Sequence, residues 1–318
     1  MTVHRLPAIH LTEALGVPYP MPIGAGLRAA LRDVADATIV HAHGALYAQS
    51  LLARVVARRL GAPFVLTEHV GFVSYSNGAI NAVQRAAWAV IGRSLVRGAD
   101  AVVTYNARVQ EALRHVGGRQ VSYIGNGVDV ERFRPRPAEE RRALRRSFGL
   151  PEHGVLALFV GREHQKKNLE VLLRTPREGY TLVVCGWVRN LTGAALVDLG
   201  VVPYARMADL FACTDVMVHP ASGEGFPLAV QEAIASGLPV VLLWDEGYGR
   251  WMPRTLVVAC DALNEVPAQL AELVRSPGRR GELSSAGRAW ASANWSWDAT
   301  VMAYERIYDE IAHDASRN

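Results

Sequence analysis

Twice along this 318-residue chain, short apolar segments alternate with helical stretches, and a proline-rich passage parts the two series. Thr2–Leu6, Thr38–His43, Phe64–His69, Ala101–Tyr105 and Val121–Ile124 read as strands, with helices such as Ala45–Leu60 and Asn81–Arg97 between them. The second series is Val155–Val160, Tyr180–Gly186, Val216–His219, Val240–Leu243 and Leu256–Ala259. Strand, helix, strand in repetition demands parallel sheets with both faces covered. Phe133-Arg134-Pro135-Arg136-Pro137 breaks regular structure, which places a domain boundary at 134/135. Helices at Ala138–Phe148, Glu265–Arg275, Pro277–Ala293 and Ser296–His313 complete the pattern. The length suffices for two domains with cores of their own.

The segment His219-Pro220-Ala221-Ser222-Gly223-Glu224-Gly225-Phe226-Pro227-Leu228-Ala229-Val230-Gln231-Glu232 joins a buried strand to a helix through a tight loop. Pro227 suits a first helical position, where a missing amide hydrogen costs nothing. Gly237 and Pro239 stop the helix. The amides of Gly225, Phe226 and Leu228 are then expected at a helix N-terminus, where positive partial charge gathers and phosphate docks. Glu224 lies at the lip of the loop and Glu232 further inside the helix. A ligand with an anionic middle and hydroxyls at both ends fits that layout, and a nucleotide sugar is such a ligand.

Of the 34 basic residues only Lys166 and Lys167 are lysines. They fall in Leu158-Phe159-Val160-Gly161-Arg162-Glu163-His164-Gln165-Lys166-Lys167, an apolar strand, a glycine and a basic loop. An arginine fork grips two phosphate oxygens, and a lysine supplies a compact mobile charge.

Glu224-x7-Glu232 in its Glu-Gly-Phe-Pro-Leu setting, followed by Gly237-Leu238-Pro239-Val240-Val241, resembles the retaining glycosyltransferases of family 4, which have the GT-B fold. The resemblance runs from about residue 38 to the end. It implies two Rossmann-like domains (residues 1–134 and 135–295) with a cleft between them. A C-terminal helix, 296–318, would cross back to the first domain. It implies transfer of a sugar from a nucleoside diphosphate sugar to a hydroxyl acceptor, with no metal and no cofactor. Gly161, Arg162 and Lys167 match the family's diphosphate grip, with Gly225, Phe226, Pro227 and Leu228 beside it. Glu224 matches the glutamate on the sugar ring and Glu232 the one on ribose. His69 matches a histidine near the donor sugar, and His43 falls on the acceptor side. Arg162, Lys167, Glu224 and His69 are the implied catalytic set. His41 reads as a satisfied buried histidine, Glu68 as local structure, and Tyr105-Asn106 receives no role.

The family usually opens with a strand and a glycine-rich loop ahead of the segment at Thr2–Leu6, so the resemblance implies an incomplete first domain. A missing central strand leaves backbone groups unpaired at about 1–3 kcal/mol each. Two other classes therefore share these features: a GT-B nucleotide-sugar epimerase, and a non-catalytic nucleotide-sugar-binding protein.

Other classes are excluded or weakened. The charge is only +4, which does not indicate nucleic-acid binding. No apolar run is long enough to span a bilayer. Three cysteines are too few and scattered for a disulfide framework or a zinc site, which suits a reducing cytoplasm. Gly24-Ala25-Gly26-Leu27-Arg28-Ala29 formally matches a dinucleotide fingerprint, but Pro18-Tyr19-Pro20-Met21-Pro22 before it is no strand. Arg54, Arg58, Arg59, Arg85, Arg93 and Arg97, with Trp88, would allow weak, salt-sensitive peripheral contact with an anionic membrane. Solvated faces of buried helices are the plainer reading of the same arginines.

Overall fold

The computed structural model describes residues 3, 5–9, 21–22, 38–72, 77–188 and 191–315. Two compact units emerge: 1–125 with 301–318, and 126–300. The sequence placed the boundary at 134/135. The passage from Asn126 to Pro137 travels with the second unit instead, and packing explains it. Phe133 is fully buried, and Arg288 Nη1 donates to the carbonyls of Val130, Phe133 and Ala235 at 2.8–2.9 Å.

In the first unit, β1 (Ala8–Ile9) and β2 (Met21–Pro22) form a small antiparallel ladder. This corrects two expectations. Among residues 3 and 5–7 no strand forms, because pairing begins only after Pro7, and Met21–Pro22 does pair. Thr2, His4 and the Gly24–Ala29 segment lie outside the described residues. The main sheet is parallel, in the order β3 (Val40–His43), β4 (Phe64–Thr67), β5 (Ala101–Thr104), β6 (Val121–Tyr123). Alternation divides its side chains between two layers. Leu66 and Val102 join Ala57, Leu95, Val96 and Leu113 on one face. Val65, Ala101 and Val103 meet Ile307 and Ile311 of the C-terminal helix, Trp297–Ala315, on the other.

The expected helix over 81–97 is interrupted. Residues 78–87 and 93–97 are α-helical, while Trp88–Gly92 forms a π-turn. There the Trp88 ring lies so close to Gly92 that a Cβ on the glycine would sit 2.3 Å from it.

The second unit holds six parallel strands in the order β12-β11-β10-β7-β8-β9. These are β7 (Val155–Val160), β8 (Tyr180–Cys185), β9 (Leu196–Asp198), β10 (Val216–His219), β11 (Val240–Leu243) and β12 (Val258–Cys260). From one edge the sequence runs third, second, first, fourth, fifth, sixth, the doubly wound Rossmann order. The strand β9 was not expected, since a three-residue, half-buried edge carries no periodic signal. Leu256 belongs to a 3-10 turn, and β12 starts two residues later. Asp215 ties β10 to β7: it accepts from Arg141 at 2.8 Å, Arg145 at 2.7 Å and the Leu156 amide at 2.8 Å.

Candidate functional site

Strand order reverses between β7 and β10, and open α/β sheets bind ligands beyond the carboxyl ends of strands at that point. The loop after β7 and the loop after β10 flank it, and they hold the two motifs singled out above. Asn168, in the left-handed region at φ 49°, donates from Nδ2 to the Pro220 carbonyl at 2.8 Å. The Ser222 amide donates to the Lys166 carbonyl at 2.9 Å. These bonds join residues far apart in sequence and bring Lys167 against Glu224.

Glu224 stands between two partners. Lys167 Nζ donates to Oε1, and His219 Nε2 lies 2.9 Å from Oε2. Burial pushes the Glu224 carboxyl up, but its interactions with His219 and Lys167 outweigh it and hold it at about 2. His219 is itself enclosed, and burial lowers its pKa against the pull of Glu224. Burial is the larger influence, so the imidazole is neutral and donates from Nε2. Lys167 and the hydrogen bond then carry the depression of Glu224. His219 Nδ1 is buried with no hydrogen-bond partner among the described residues.

Around this pair the loop is strongly positive. Arg162 is exposed. Burial lowers the Lys166 pKa, with Arg162 and Lys167 adding to it and Glu224 opposing. His164 is lowered by burial and then by the same three cations, Arg162, Lys166 and Lys167. Gly161 closes the loop's base, its amide donating to the Cys185 carbonyl at 2.9 Å.

The helix after β10 runs Leu228–Ala235, with Pro227 as its N-cap rather than its first residue. Gly225 is buried and Leu228 is 47% exposed. The Phe226 side chain packs edge-on against Tyr248 at 5.0 Å and Trp295 at 6.2 Å, so it anchors the loop and leaves only its backbone for a ligand. Glu232 is 7% exposed, and Tyr204 Oη donates to its Oε1 at 2.9 Å. Burial raises the Glu232 pKa, opposed by Tyr204 and by the nearby Arg132.

In the first unit, strand ends gather a second polar cluster. His43 Nδ1 lies 3.0 Å from His69 Nε2, and His69 Nδ1 lies 2.6 Å from Tyr105 Oη. Burial lowers the pKa of both histidines, in His43 with help from His69. His41 is satisfied on both ring nitrogens, by Tyr308 Oη at 2.7 Å and Thr67 Oγ1 at 2.8 Å. Burial, then His43 and His69, bring it to about 4. Glu68 accepts the Ala45, Val70 and Gly71 amides and shapes the loop.

The sequence missed His219, Tyr204, Arg132 and Tyr105. His219 and Tyr105 had a usable signal, each being a polar residue at the carboxyl end of a buried strand. Tyr204 and Arg132 had none, because only tertiary packing brings them to Glu232.

Comparison with known proteins agrees with this architecture. The family described as Glycosyltransferase Family 4 matches residues 1–132, and the one described as Glycosyl transferases group 1 matches 140–251. The chain is 34% identical over 280 residues to a GDP-mannose-dependent alpha-mannosyltransferase of Mycolicibacterium smegmatis, covering 81% of this chain and 68% of the relative. This chain belongs to the family 4, group 1 glycosyltransferases of the GT-B fold. A D-inositol 3-phosphate glycosyltransferase of Xylanimonas cellulosilytica is 30% identical over 308 residues, covering 85% of this glycosyltransferase and 71% of the relative. The chain spans 63% of the length of the Mycobacterium tuberculosis GDP-mannose-dependent alpha-mannosyltransferase, which is 34% identical over 255 residues, or 75% of this chain. Among solved structures, sucrose-phosphate synthase from Thermosynechococcus elongatus superposes with TM-score 0.74 at 18% identity, covering 90% of this chain and 77% of that one. Anabaena HepE in complex with UDP-glucose gives 0.71 at 16%, covering 96% and 84%. Nothing in these comparisons points to an epimerase.

Among the described residues, no three or more His, Cys, Asp or Glu side chains are placed to hold a metal, and no helix is long and apolar enough to cross a membrane. Of the six arginines read as a membrane face, Arg54 bonds Ser94 and Arg97 bonds the Val116 carbonyl. Arg85 lies over the Phe72 ring, while Arg58, Arg59 and Arg93 are exposed.

Proposed function

We propose that this glycosyltransferase moves a sugar from a nucleoside diphosphate sugar to a hydroxyl acceptor with retention of anomeric configuration. The observation that carries the reading is the convergence of Lys167 and Glu224 beside a helix N-terminus, at the strand-order reversal. The diphosphate would take Lys167, Arg162 and the first amides of the helix 228–235, a set that balances its charge. Glu224, released from Lys167, would accept hydroxyls of the sugar, and Glu232 those of ribose. The names of two relatives point the same way for themselves: one is GDP-mannose-dependent, and HepE was solved with UDP-glucose.

As the bond from the anomeric carbon to the phosphate oxygen breaks, negative charge builds on the diphosphate. Preorganised cations stabilise that charge most effectively. The acceptor oxygen then bonds the same face of the anomeric carbon, and its proton passes to the departing phosphate oxygen. His69 and His43, kept neutral by burial, suit hydrogen bonding to sugar hydroxyls. No cofactor enters this reading. The membrane part of it is a weak, salt-sensitive contact through Arg58, Arg59, Arg85 and Arg93.

The test is incubation with GDP-, UDP- and ADP-sugars and a panel of glycan, glycolipid and small-alcohol acceptors. Acceptor-dependent release of nucleoside diphosphate is expected, with retained configuration by NMR. An inverted product, or nucleotide-sugar binding without turnover on any acceptor, would overturn it.

A further inference from the structure

Tyr204 combines two properties that rarely coincide. The residue is 61% exposed, yet its hydroxyl is spent on a carboxylate whose residue is only 7% exposed. It opens the helix Tyr204–Cys213 directly after Pro203, so its backbone is fixed while its ring reaches outward. Arg132 lies over that ring at 4.5 Å from its centroid and donates from Nη2 to the Tyr204 carbonyl. Desolvation of its hydroxyl end, and then Glu232, push the phenol up to about 12, so it remains a donor.

A buried carboxylate without a donor is costly, and the empty site would bear that cost whenever nucleotide is absent. Tyr204 supplies the donor. It takes Oε1 only, and the second oxygen of Glu232 has no partner among the described residues. A ribose offering two adjacent hydroxyls to Glu232 meets one oxygen open and the other occupied.

We propose that Tyr204 is a displaceable cap on Glu232, an internal competitor that a ribose hydroxyl must replace. The inference rests on Glu232 being the ribose partner in the reading above. Its consequence is specific. Binding exchanges one hydrogen bond to Oε1 for another, so nucleotide gains less there than an uncapped carboxylate would give. The spent nucleoside diphosphate, which has lost its sugar contacts, is then released more readily. On this account Tyr204 sets how long nucleotide stays, and Arg132 holds the displaced ring near the site, ready to return.

The experiment is calorimetric titration of the full chain and of Tyr204→Phe with GDP, UDP and ADP, and with the 2′,3′-dideoxy form of whichever binds. Phenylalanine keeps the ring and its contact with Arg132 and removes only the competing hydroxyl. The ribonucleotide should bind Tyr204→Phe roughly three- to tenfold more tightly, within the net range of one hydrogen bond exchanged for another. The dideoxy form should bind both proteins alike. Stopped-flow release of the ribonucleotide should slow by a similar factor. If the full chain binds the ribonucleotide more tightly than its dideoxy form but Tyr204→Phe leaves both unchanged, or weakens the ribonucleotide, the cap is overturned while the donor-site reading stands. If the full chain binds no nucleoside diphosphate, or does not distinguish ribose from dideoxyribose, the placement of ribose at Glu232 fails and the cap fails with it.

Discussion

Gly186 comes so close to Gly161 that a Cβ on Gly186 would stand 1.9 Å from the Gly161 carbonyl oxygen. The backbone at Gly186 also sits at φ 138°, a region essentially closed to other residues. Two backbones therefore touch just where β7 and β8 hand over to their loops, and the obstructing atom belongs to main chain that cannot swing aside. Gly186→Ala should lower stability by about 1–3 kcal/mol, the range for an overpacked site. It should also weaken nucleoside diphosphate binding, because the loop carrying Arg162 and Lys167 begins at Gly161. Urea unfolding and nucleotide titration check both effects. Unchanged unfolding would show that the two loops part without cost.

The histidines of the first unit set a separate acid limit. His41 falls from 6.5 to about 4 on folding, so the unfolded chain binds its proton first. Its contribution is complete above pH 6.5 and is lost as pH falls towards 4. The order of magnitude is 1–3 kcal/mol. His41→Gln should be less stable at pH 7.5 and should show a flatter loss between pH 6.5 and 4. Parallel stability curves for the two proteins would remove His41 from that window.

The fold was legible in the sequence because the core strands carry continuous apolar runs that no helix period explains. Val155–Val160 and Val216–His219 match their observed bounds for that reason. β9 is short, half-buried and at an edge, so nothing in its composition marked it. The candidate site was legible where each residue carries a local motif of its own, as Glu224 does in the loop after β10 and Lys167 in the loop after β7. It was not legible where a partner comes from another element, as with Tyr204 at Glu232 or Tyr308 at His41. The π-turn at Trp88–Gly92 depends on a ring packed against a glycine backbone, which periodicity does not record.

The two adjacent lysines should separate cleanly. Lys167 pairs with Glu224, so Lys167→Ala removes the cation proposed for the phosphate and leaves an unneutralised carboxylate beside it. Nucleoside diphosphate binding should weaken by about 1.5–3 kcal/mol. Lys166→Ala should cost much less. Adding Glu224→Gln to Lys167→Ala should recover part of the loss by removing the repulsion. Equal losses at the two lysines would reject this assignment.

Membrane contact, if carried by the exposed arginines, follows ionic strength. Each basic side chain near an anionic surface contributes roughly 1 kcal/mol, screened within a Debye length. The protein should sediment with phosphatidylserine-containing vesicles at low salt and be released at high salt. Arg58→Gln with Arg59→Gln should reduce the bound fraction, whereas loss of Arg97 should act through stability, since it bonds the Val116 carbonyl. Absence from the pellet at low salt would move the acceptor towards a soluble alcohol.

His219 positions Glu224, and acid titration can isolate that role. Glu224 is held at about 2 against an ordinary 4.5, so its contribution is complete above pH 4.5 and is lost as pH falls towards 2. This window lies mostly below that of His41. His219 is 1% exposed, and its Nε2 reaches Glu224 Oε2 at 2.9 Å. Truncation to alanine leaves Glu224 with Lys167 alone, so its pKa should rise and the acid limb of stability should move up. A cavity in the core also lowers stability at every pH, by about 2–4 kcal/mol. His219→Gln keeps a donor in place and should restore the position of the acid limb more fully than the stability at neutral pH. Donor-sugar discrimination should follow the acid limb, since both depend on where the Glu224 carboxylate is held. An acid limb that stays put in His219→Ala would mean that Lys167 alone fixes Glu224, with His219 serving only to fill the core.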